Sequence, residues 1–204
     1  MNANTNKSFW QRTAGLYEKA MKPQEGMYKA VRKGIAPVLN EKQNVLELAC
    51  GTGQLSFELS KYVHFWEATD FSEKMIAKAK EKPHISRLHF SVQDATNLPY
   101  ADKTFDVVVI SNALHIMPEP EKAMAEIRRV LKPGGLLFAP NFVQGGTKTA
   151  RFKQFLLGLA GFRIYHKWTA KGYIAFIKKT GFNIVEAHKI TSKKFMPICF
   201  VTAQ

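Results

Sequence analysis

The chain has 204 residues, of which 46% are hydrophobic, and carries a formal net charge of +14. This length predicts a single domain, 1–204, with a sizeable core, and the composition is ordinary for a globular protein. No run of about 18 apolar residues occurs, the N-terminus lacks the apolar stretch of a secretory signal, and two cysteines are too few for a disulfide scaffold, so we expect a cytoplasmic protein without a membrane span.

The first helical region is predicted over 8–34, as two helices that break near Pro23. Ser8 is the candidate cap of the first helix. Aromatic and apolar side chains recur in this helix at three- and four-residue steps, and they include Trp10 and Tyr17. The stripe either packs on a sheet or covers a ligand, with both aromatic residues facing inward.

The segment 44–53, Asn-Val-Leu-Glu-Leu-Ala-Cys-Gly-Thr-Gly, is the centre of the predicted fold. Its apolar run is typical of a strand buried on both faces, and Gly51 and Gly53 end that run. Helical spacing follows over about 54–62. A buried strand, a tight glycine turn and a helix N-terminus together present free backbone N–H groups to a ligand. We therefore predict that the turn holds a nucleotide-like cofactor.

Further strands alternate with helices through the middle of the chain. The predicted strands are 64–69, 87–92, 105–110 and 136–142, and the predicted helices begin after the candidate N-cap Ser72 and at about Pro120. The alternation predicts an α/β domain with a mostly parallel sheet and right-handed crossovers. Ligands bind such sheets at the carboxyl ends of the strands. We therefore expect one crevice to be lined by 49–53, Asp70, Asp94 and 111–115.

The last third of the chain has a different character. Residues 145–168 place aromatic side chains on one helical face among basic ones, which is typical of a membrane-surface helix, of a cap over a pocket, or of a packed core helix. A helix at 169–179 and strands near 182–190 and 195–203 are predicted to complete the domain. The segments 8–34 and 145–168 are the two predicted cap elements.

The positive charge is concentrated at the two ends of the chain. Residues 1–40 hold seven Lys/Arg against two Asp/Glu, and residues 141–204 hold eleven against one. Residues 41–140 are nearly neutral, with twelve against thirteen. This distribution suits an anionic substrate, an anionic membrane surface or nucleic acid, and it equally suits a solvated lysine-rich surface.

Two carboxylates follow the second and third strands. Asp70 is placed to accept hydrogen bonds from two ribose hydroxyls, or else it caps the helix near Ser72. Asp94 can accept from an adenine amino group while the Ala95 N–H meets a ring nitrogen, or else it is an ordinary turn aspartate. Ser56 stands where a dinucleotide fingerprint has its third glycine, which argues against an NAD site.

A set of motifs in this order resembles the class I S-adenosylmethionine-dependent methyltransferases, and within them the type 11 group that includes ubiquinone and menaquinone biosynthesis methyltransferases. The motifs are those at 45–53, 70–75, 93–99, 105–108 and 129–135. The resemblance covers roughly 9–142. It implies a Rossmann-like, seven-stranded, mostly parallel sheet with an antiparallel last strand and helices on both faces.

The same resemblance implies which residues hold S-adenosylmethionine. The turn formed by Ala49, Cys50, Gly51, Thr52 and Gly53 is implied to hold the methionine part of the cofactor. No metal is implied.

The nucleoside end of the cofactor is implied to meet a second group of residues. Asp70 takes the ribose, Phe71 and Met75 flank the adenine, and Asp94 with Ala95 reads the adenine edge.

Four further residues complete the implied site. Ser111 and Asn112 line the methionine end, and Tyr17 of the N-terminal helix helps to close it. Glu47 lies beneath the loop, where it either orders the loop or meets the cofactor amine, because a buried carboxylate needs some such partner.

Methyl transfer from a sulfonium is an in-line displacement that requires alignment and exclusion of water. A general base is needed only where the nucleophile must lose a proton. His115, just past the fourth strand, is the candidate base, and the alternative is a histidine that only holds its loop.

The sequence predicts a small-molecule methyl acceptor, anionic or amphiphilic. An anionic membrane surface is the predicted place of the encounter, with the protein peripheral to the membrane. One alternative is an RNA methyltransferase, which the basic C-terminal third favours. A second alternative is a noncatalytic cofactor-binding or membrane-associated module.

Overall fold

An eight-stranded sheet lies at the centre of the computed structural model, which describes residues 4–145, 161–191 and 196–204. The strands are β1 Asn44–Leu48, β2 Phe65–Asp70, β3 Leu88–Val92, β4 Phe105–Ile110, β5 Leu131–Phe138, β6 Asn141–Phe142, β7 Ile184–Ile190 and β8 Ile198–Ala203. The helices in the described residues are α1 Asn4–Met21, α2 Glu25–Ile35, α3 Ser56–Leu59, α4 Glu73–Lys80, α5 Pro120–Val130 and α6 Ala170–Lys179. Most of the predicted cap at 145–168 lies outside the described residues.

The strand order is β3-β2-β1-β4-β5-β8. Strands β5 and β6 pair with one edge of β8, and β7 pairs with its other edge. The first five strands pair in parallel, and β8 is antiparallel to each of its neighbours. The predicted architecture, with its antiparallel last strand, is therefore confirmed. The sheet has eight strands where seven were predicted, because β6, a two-residue segment, follows β5 after Pro140.

The strand predicted at 136–142 differs in detail from β5. The observed strand β5 begins at Leu131, directly after α5, and its pairing with β4 shifts register between Phe105 and Val107. The Pro-Gly-Gly sequence at 133–135 forms an irregularity within the strand, where Gly134 has φ +79°. A glycine accepts this backbone conformation without a Cβ clash, so the strand bends and continues.

Neighbouring residues of the central strands pack in two different hydrophobic cores. Val45 and Val107 pack with residues of α2, α3 and α4, whereas Leu46 and Val108 pack with residues of α5 and α6. Successive side chains of a strand point to opposite faces. The helices therefore cover both faces of the sheet, and the central strands bury apolar side chains on both faces.

The predicted helix caps have mixed outcomes. Ser72 caps α4 as expected, because its side-chain oxygen accepts the Met75 N–H at 3.4 Å. The prediction for Ser8 is wrong, because α1 already begins at Asn4 and places Ser8 inside the helix. The break near Pro23 is confirmed by a short 3-10 turn between α1 and α2. Among the described residues, no helix is both long enough and apolar enough to cross a bilayer.

Candidate functional site

The glycine turn after β1 departs from the strand through three residues with positive φ. These are Ala49 at +54°, Gly51 at +58° and Gly53 at +86°. Backbone hydrogen bonds hold the turn, from the Cys50 N–H to the Thr69 carbonyl at 2.9 Å and from the Gly53 N–H to the Cys50 carbonyl at 3.0 Å. A non-glycine residue such as Ala49 at positive φ costs on the order of 1 kcal/mol, and such strain is common at ligand sites.

Close neighbours leave little room for a side chain at either glycine. A Cβ at Gly53 would lie 2.6 Å from Cε2 of Phe57, and a Cβ at Gly51 would lie 3.3 Å from Cε1 of Tyr17. Tyr17, on α1, therefore packs directly against the turn. The predicted cap residue and the predicted cofactor turn are in contact.

Asp70, the last residue of β2, joins the turn to the start of α4. One carboxylate oxygen accepts the Gly51 N–H at 2.9 Å, and the other accepts the Ser72 N–H at 2.9 Å. Burial raises the pKa of Asp70, and the two backbone donors oppose that rise. The helix-cap interpretation accounts for the Ser72 contact alone, since the second contact joins this carboxylate to Gly51 of the glycine turn.

Glu47 lies beneath the turn and is 2% exposed. Its Oε2 accepts hydrogen bonds from the Ser56 hydroxyl at 2.5 Å and from the Trp66 indole N–H at 3.0 Å. Burial raises the pKa of Glu47 to about 7, against the effect of both donors. Ser56, in the position of a third glycine, thus ties the first turn of the following helix to β1.

Two of the predicted adenine contacts, Phe71 and Met75, lie at the start of α4 near α1, and the other two, Asp94 and Ala95, follow β3. The Phe71 side chain is 40% exposed and has the Lys7 ammonium 4.3 Å from its ring centroid, whereas Met75 is buried. Asp94 Oδ1 accepts the Thr96 N–H at 2.8 Å and the Thr96 hydroxyl at 2.7 Å, as a turn aspartate does. Contacts of these residues with adenine, and that of the buried Ala95, stay predictions.

The end of β4 contributes a second strained residue. Asn112 has φ +53°, and its N–H is bonded to the Pro140 carbonyl at 2.8 Å. Its Nδ2 lies 3.5 Å from the Ser111 hydroxyl. The Asn112 Oδ1 atom is buried without a hydrogen-bond partner in the described part of the chain. A buried acceptor of this kind is ready to receive a ligand donor.

His115 is almost fully buried at the end of this loop. Its Nδ1 lies 2.9 Å from Oδ1 of Asn141, and its carbonyl accepts the N–H groups of Tyr165 and His166 at 3.0 and 3.1 Å. Burial lowers the pKa of His115 to about 4; nearby His166 lowers it further, whereas the Asn141 bond opposes this. The ring is therefore neutral at pH 7.

Asn6, on α1, connects the two cap elements to the loop after β4. Its Nδ2 donates to the carbonyls of Ile116 and Arg163, both at 2.9 Å. Its Oδ1 accepts the Arg163 N–H, also at 2.9 Å. One side chain thus bonds to three backbone groups from two distant segments.

Aromatic contacts continue this cap. Phe9 and Trp10 each lie 5.4 Å from Phe162 between ring centroids, and Trp10 lies 5.5 Å from Tyr17. Tyr17 and Tyr28 are hydrogen-bonded through their side chains, and burial raises the pKa of both phenols. The described cap therefore presents aromatic surface beside the glycine turn.

The structure brings the turn, Asp70 and Tyr17 into direct contact, with Glu47 bonded to Ser56 just after the turn. His115 lies in the loop after β4, at the same carboxyl edge of the sheet. Two cavities, of about 390 and 480 Å³, lie instead around residues that precede or begin β2 and β3, such as His64 and Ser86, and include none of the predicted site residues. Asn141 and Asn6 were not among the site residues predicted from the sequence. The position of Asn141 just after β5 was a usable signal, because polar residues follow the other parallel strands there.

The residues fit S-adenosylmethionine in three respects. The turn at the carboxyl end of β1 has glycine at two positions of positive φ, Asp70 supplies a carboxylate at the end of β2, and Asn112 retains a buried acceptor. Together with the sheet order, these features define the class of α/β proteins that bind a nucleoside cofactor at the carboxyl ends of parallel strands.

Comparison with known proteins specifies the family. A family model described as a methyltransferase domain matches residues 46–139. A demethylmenaquinone methyltransferase from Staphylococcus saprophyticus is 32% identical over 179 residues, which cover 80% of this chain and 73% of that protein. A demethylmenaquinone methyltransferase from Clavibacter sepedonicus is 40% identical over 114 residues, which cover 55% of this chain and 46% of that protein. The chain belongs to the S-adenosylmethionine-dependent methyltransferase family.

The chain spans about half the length of several curated relatives that it matches. Solved structures agree with the fold. A chain of the complex between the Haloferax volcanii Trm112 methyltransferase activator and a methyltransferase has a TM-score of 0.79 at 17% identity, covering 95% of this chain and 96% of that one. The DhpI–SAH complex has a TM-score of 0.78 at 19% identity, covering 99% and 96%. At these identities the likeness concerns the fold alone.

Proposed function

We propose that this chain transfers a methyl group from S-adenosylmethionine to a small-molecule acceptor. The observation that carries the proposal is the position of Asp70, whose carboxylate oxygens accept the N–H groups of Gly51 and Ser72 at 2.9 Å each. A carboxylate held beside a glycine turn, in a chain of the methyltransferase family, supports a role for Asp70 as acceptor for the ribose hydroxyls.

The proposed roles follow the contacts. The turn of Ala49, Cys50, Gly51, Thr52 and Gly53 approaches the methionine part, with Glu47 ordering the turn through its bond to Ser56. When bound, the cofactor supplies a methyl group activated by a positively charged sulfur.

The other residues act at the remaining ends of the site. Asp70 holds the ribose, and the adenine is surrounded by Phe71, Met75, Asp94 and Ala95. The methionine end is received by Ser111 and Asn112. Tyr17 and the cap aromatics exclude water. His115 is the proposed base.

The acceptor that we propose is a hydroxylated aromatic of the quinol type. Support comes from relatives at 32–40% identity that are named demethylmenaquinone methyltransferases, and from the aromatic side chains of the cap. Such acceptors are amphiphilic, and the excess of Lys and Arg at both ends of the chain favours binding to an anionic membrane surface.

A transfer assay with methyl-labelled cofactor tests the proposal. Full-length protein is incubated with hydroquinones bearing short or long alkyl tails, with total RNA, and with vesicles containing anionic lipid alone. Label that enters the hydroquinones and depends on Asp70 supports the proposal. Label in RNA alone, with binding that weakens steeply with salt, favours the nucleic-acid alternative. Cofactor binding with no transfer to any acceptor favours the noncatalytic alternative.

A further inference from the structure

The hydrogen bonds of Asn141 determine which ring nitrogen of His115 carries a proton. Asn141 is 1% exposed, and its Nδ2 donates to the Phe142 carbonyl at 3.1 Å. This contact orients the amide, so that Oδ1 is the atom 2.9 Å from His115 Nδ1. An amide oxygen only accepts, so Nδ1 must donate. The lone pair of the neutral imidazole therefore lies on Nε2.

We propose that Asn141 is a positioning residue that holds His115 in the Nδ1–H tautomer, so that Nε2 is the atom that removes a proton from the methyl acceptor. The inference rests on the proposed function for its chemistry, whereas the tautomer itself is a property of the chain.

The surroundings of His115 restrict the ring to this arrangement. Its carbonyl is held by two N–H groups of the segment after Gly161, and its ring packs edge-on against Phe142 with centroids 5.7 Å apart. His166 is the titratable neighbour, and Asn141 is the polar one. Neither is a carboxylate that would favour the imidazolium, so the ring keeps its lone pair at neutral pH.

The reaction balances without any additional reagent. The acceptor atom forms a bond to the methyl carbon as the carbon–sulfur bond breaks, and the electron pair of that bond stays on sulfur. The acceptor proton moves to Nε2, so the positive charge passes from sulfur to the imidazolium. The charge of the buried site is unchanged, which avoids the cost of adding a new buried charge.

This base also limits the class of acceptor. A His115 whose pKa is lowered to about 4 is a weak base. It suits a proton that becomes strongly acidic as the methyl bond forms, such as that of a hydroxyl or an activated ring carbon. It has no role for an acceptor that loses no proton, such as a thioether.

Nitrogen-15 NMR of the full chain labelled at histidine tests the proposal directly. In the wild type at pH 7, His115 is expected to show a protonated Nδ1 and an unprotonated Nε2. Asn141→Asp is expected to raise the pKa of His115 by one pH unit or more, because a carboxylate stabilises the imidazolium. Asn141→Leu is expected to give a mixture of both tautomers. A purely structural Asn141 would change the melting temperature and leave the tautomer as it is.

A protonated Nε2 in the wild type, or an unchanged tautomer in folded Asn141→Leu, would overturn the proposal. Titration with S-adenosylhomocysteine on the same samples separates this result from the proposed function. Failure of the wild type to bind it overturns the proposed function and leaves the tautomer assignment standing. Where a hydroquinone accepts label, Asn141→Leu is expected to lower kcat about 10- to 100-fold with KM for the cofactor unchanged. An unchanged kcat would overturn the role of Nε2.

Discussion

The Asp70 carboxylate accepts the Gly51 N–H at 2.9 Å and so fixes the glycine turn of β1 to the end of β2. Asp70→Ala removes this acceptor and the one for Ser72, and we expect it to lower the free energy of unfolding by about 1–3 kcal/mol. The larger effect is expected on ligand binding, because the ribose loses its carboxylate.

Thermal unfolding with S-adenosylhomocysteine measures both effects. At 100 times Kd, a ligand stabilises the wild type by about 2.7 kcal/mol, which is about 5–10 °C at this chain length. We expect Asp70→Ala to lose most of that shift, and the exposed control Glu121→Ala to keep it. An equal shift in both variants would show that Asp70 does not bind the ligand.

Glu47 makes stability depend on pH. The pKa of Glu47 is raised from 4.5 to about 7 in the folded chain. Its contribution to the free energy of unfolding is therefore fully present below pH 4.5 and is lost as the pH rises through about 7. This rise in the pKa of Glu47 corresponds to about 3 kcal/mol of stability, at about 1.4 kcal/mol per pKa unit.

Glu47→Gln tests this contribution, since the amide can still accept from Ser56 and Trp66 but does not ionise. Urea unfolding between pH 5 and 8 is expected to show a falling free energy for the wild type and a flatter profile for the variant. The exposed control Glu121→Gln is expected to keep the wild-type slope. Equal slopes in the wild type and Glu47→Gln would contradict the assignment.

Two glycine-to-alanine substitutions are expected to act in opposite directions. At Gly53 the backbone has φ +86° and a Cβ would lie 2.6 Å from Phe57, so alanine is expected to destabilise by about 1–3 kcal/mol and to weaken cofactor binding. At Gly15, inside α1, a Cβ meets nothing within 4 Å, and alanine is expected to stabilise by about 0.5–1 kcal/mol. Chemical denaturation of both variants checks the signs, and a stabilising Gly53→Ala would refute the steric account of the turn.

The hydrogen bonds of Asn6 should hold α1 over the site. Asn6→Ala leaves the Arg163 N–H and the Ile116 carbonyl without this partner, and we expect amide exchange in α1 to accelerate at least tenfold. Ser8→Ala, an exposed position in the same helix, is the control and should exchange as the wild type does. Unchanged exchange in Asn6→Ala would mean that the aromatic contacts with Phe162 suffice.

Local patterns in the sequence predicted the strands and the polar residues at their carboxyl ends, because both depend on short-range information. The apolar runs of β1 and β4 and the acid at the end of β2 are readable within a few residues. The contacts of Asn6 join residues 110 and 157 positions apart, and no local pattern encodes such pairs. The bond between His115 and Asn141 spans 26 positions and likewise depends on the packed sheet.

Ser8 shows the limit of local rules. A serine ahead of an apolar stripe is a sound cap signal, but the residues before it also form helix, and the cap prediction fails. Glu47 shows the opposite limit. Its burial was predictable, whereas its two donors, Ser56 and Trp66, are brought together only by the fold.

A calorimetric titration of the full chain with S-adenosylhomocysteine, repeated with NAD, tests the central claim most directly. The account predicts saturable binding of S-adenosylhomocysteine, at least tenfold weaker binding in Asp70→Ala, and no binding of NAD, since Ser56 occupies the position of a third glycine. Absence of S-adenosylhomocysteine binding in the folded wild type, or binding of NAD in its place, would contradict it.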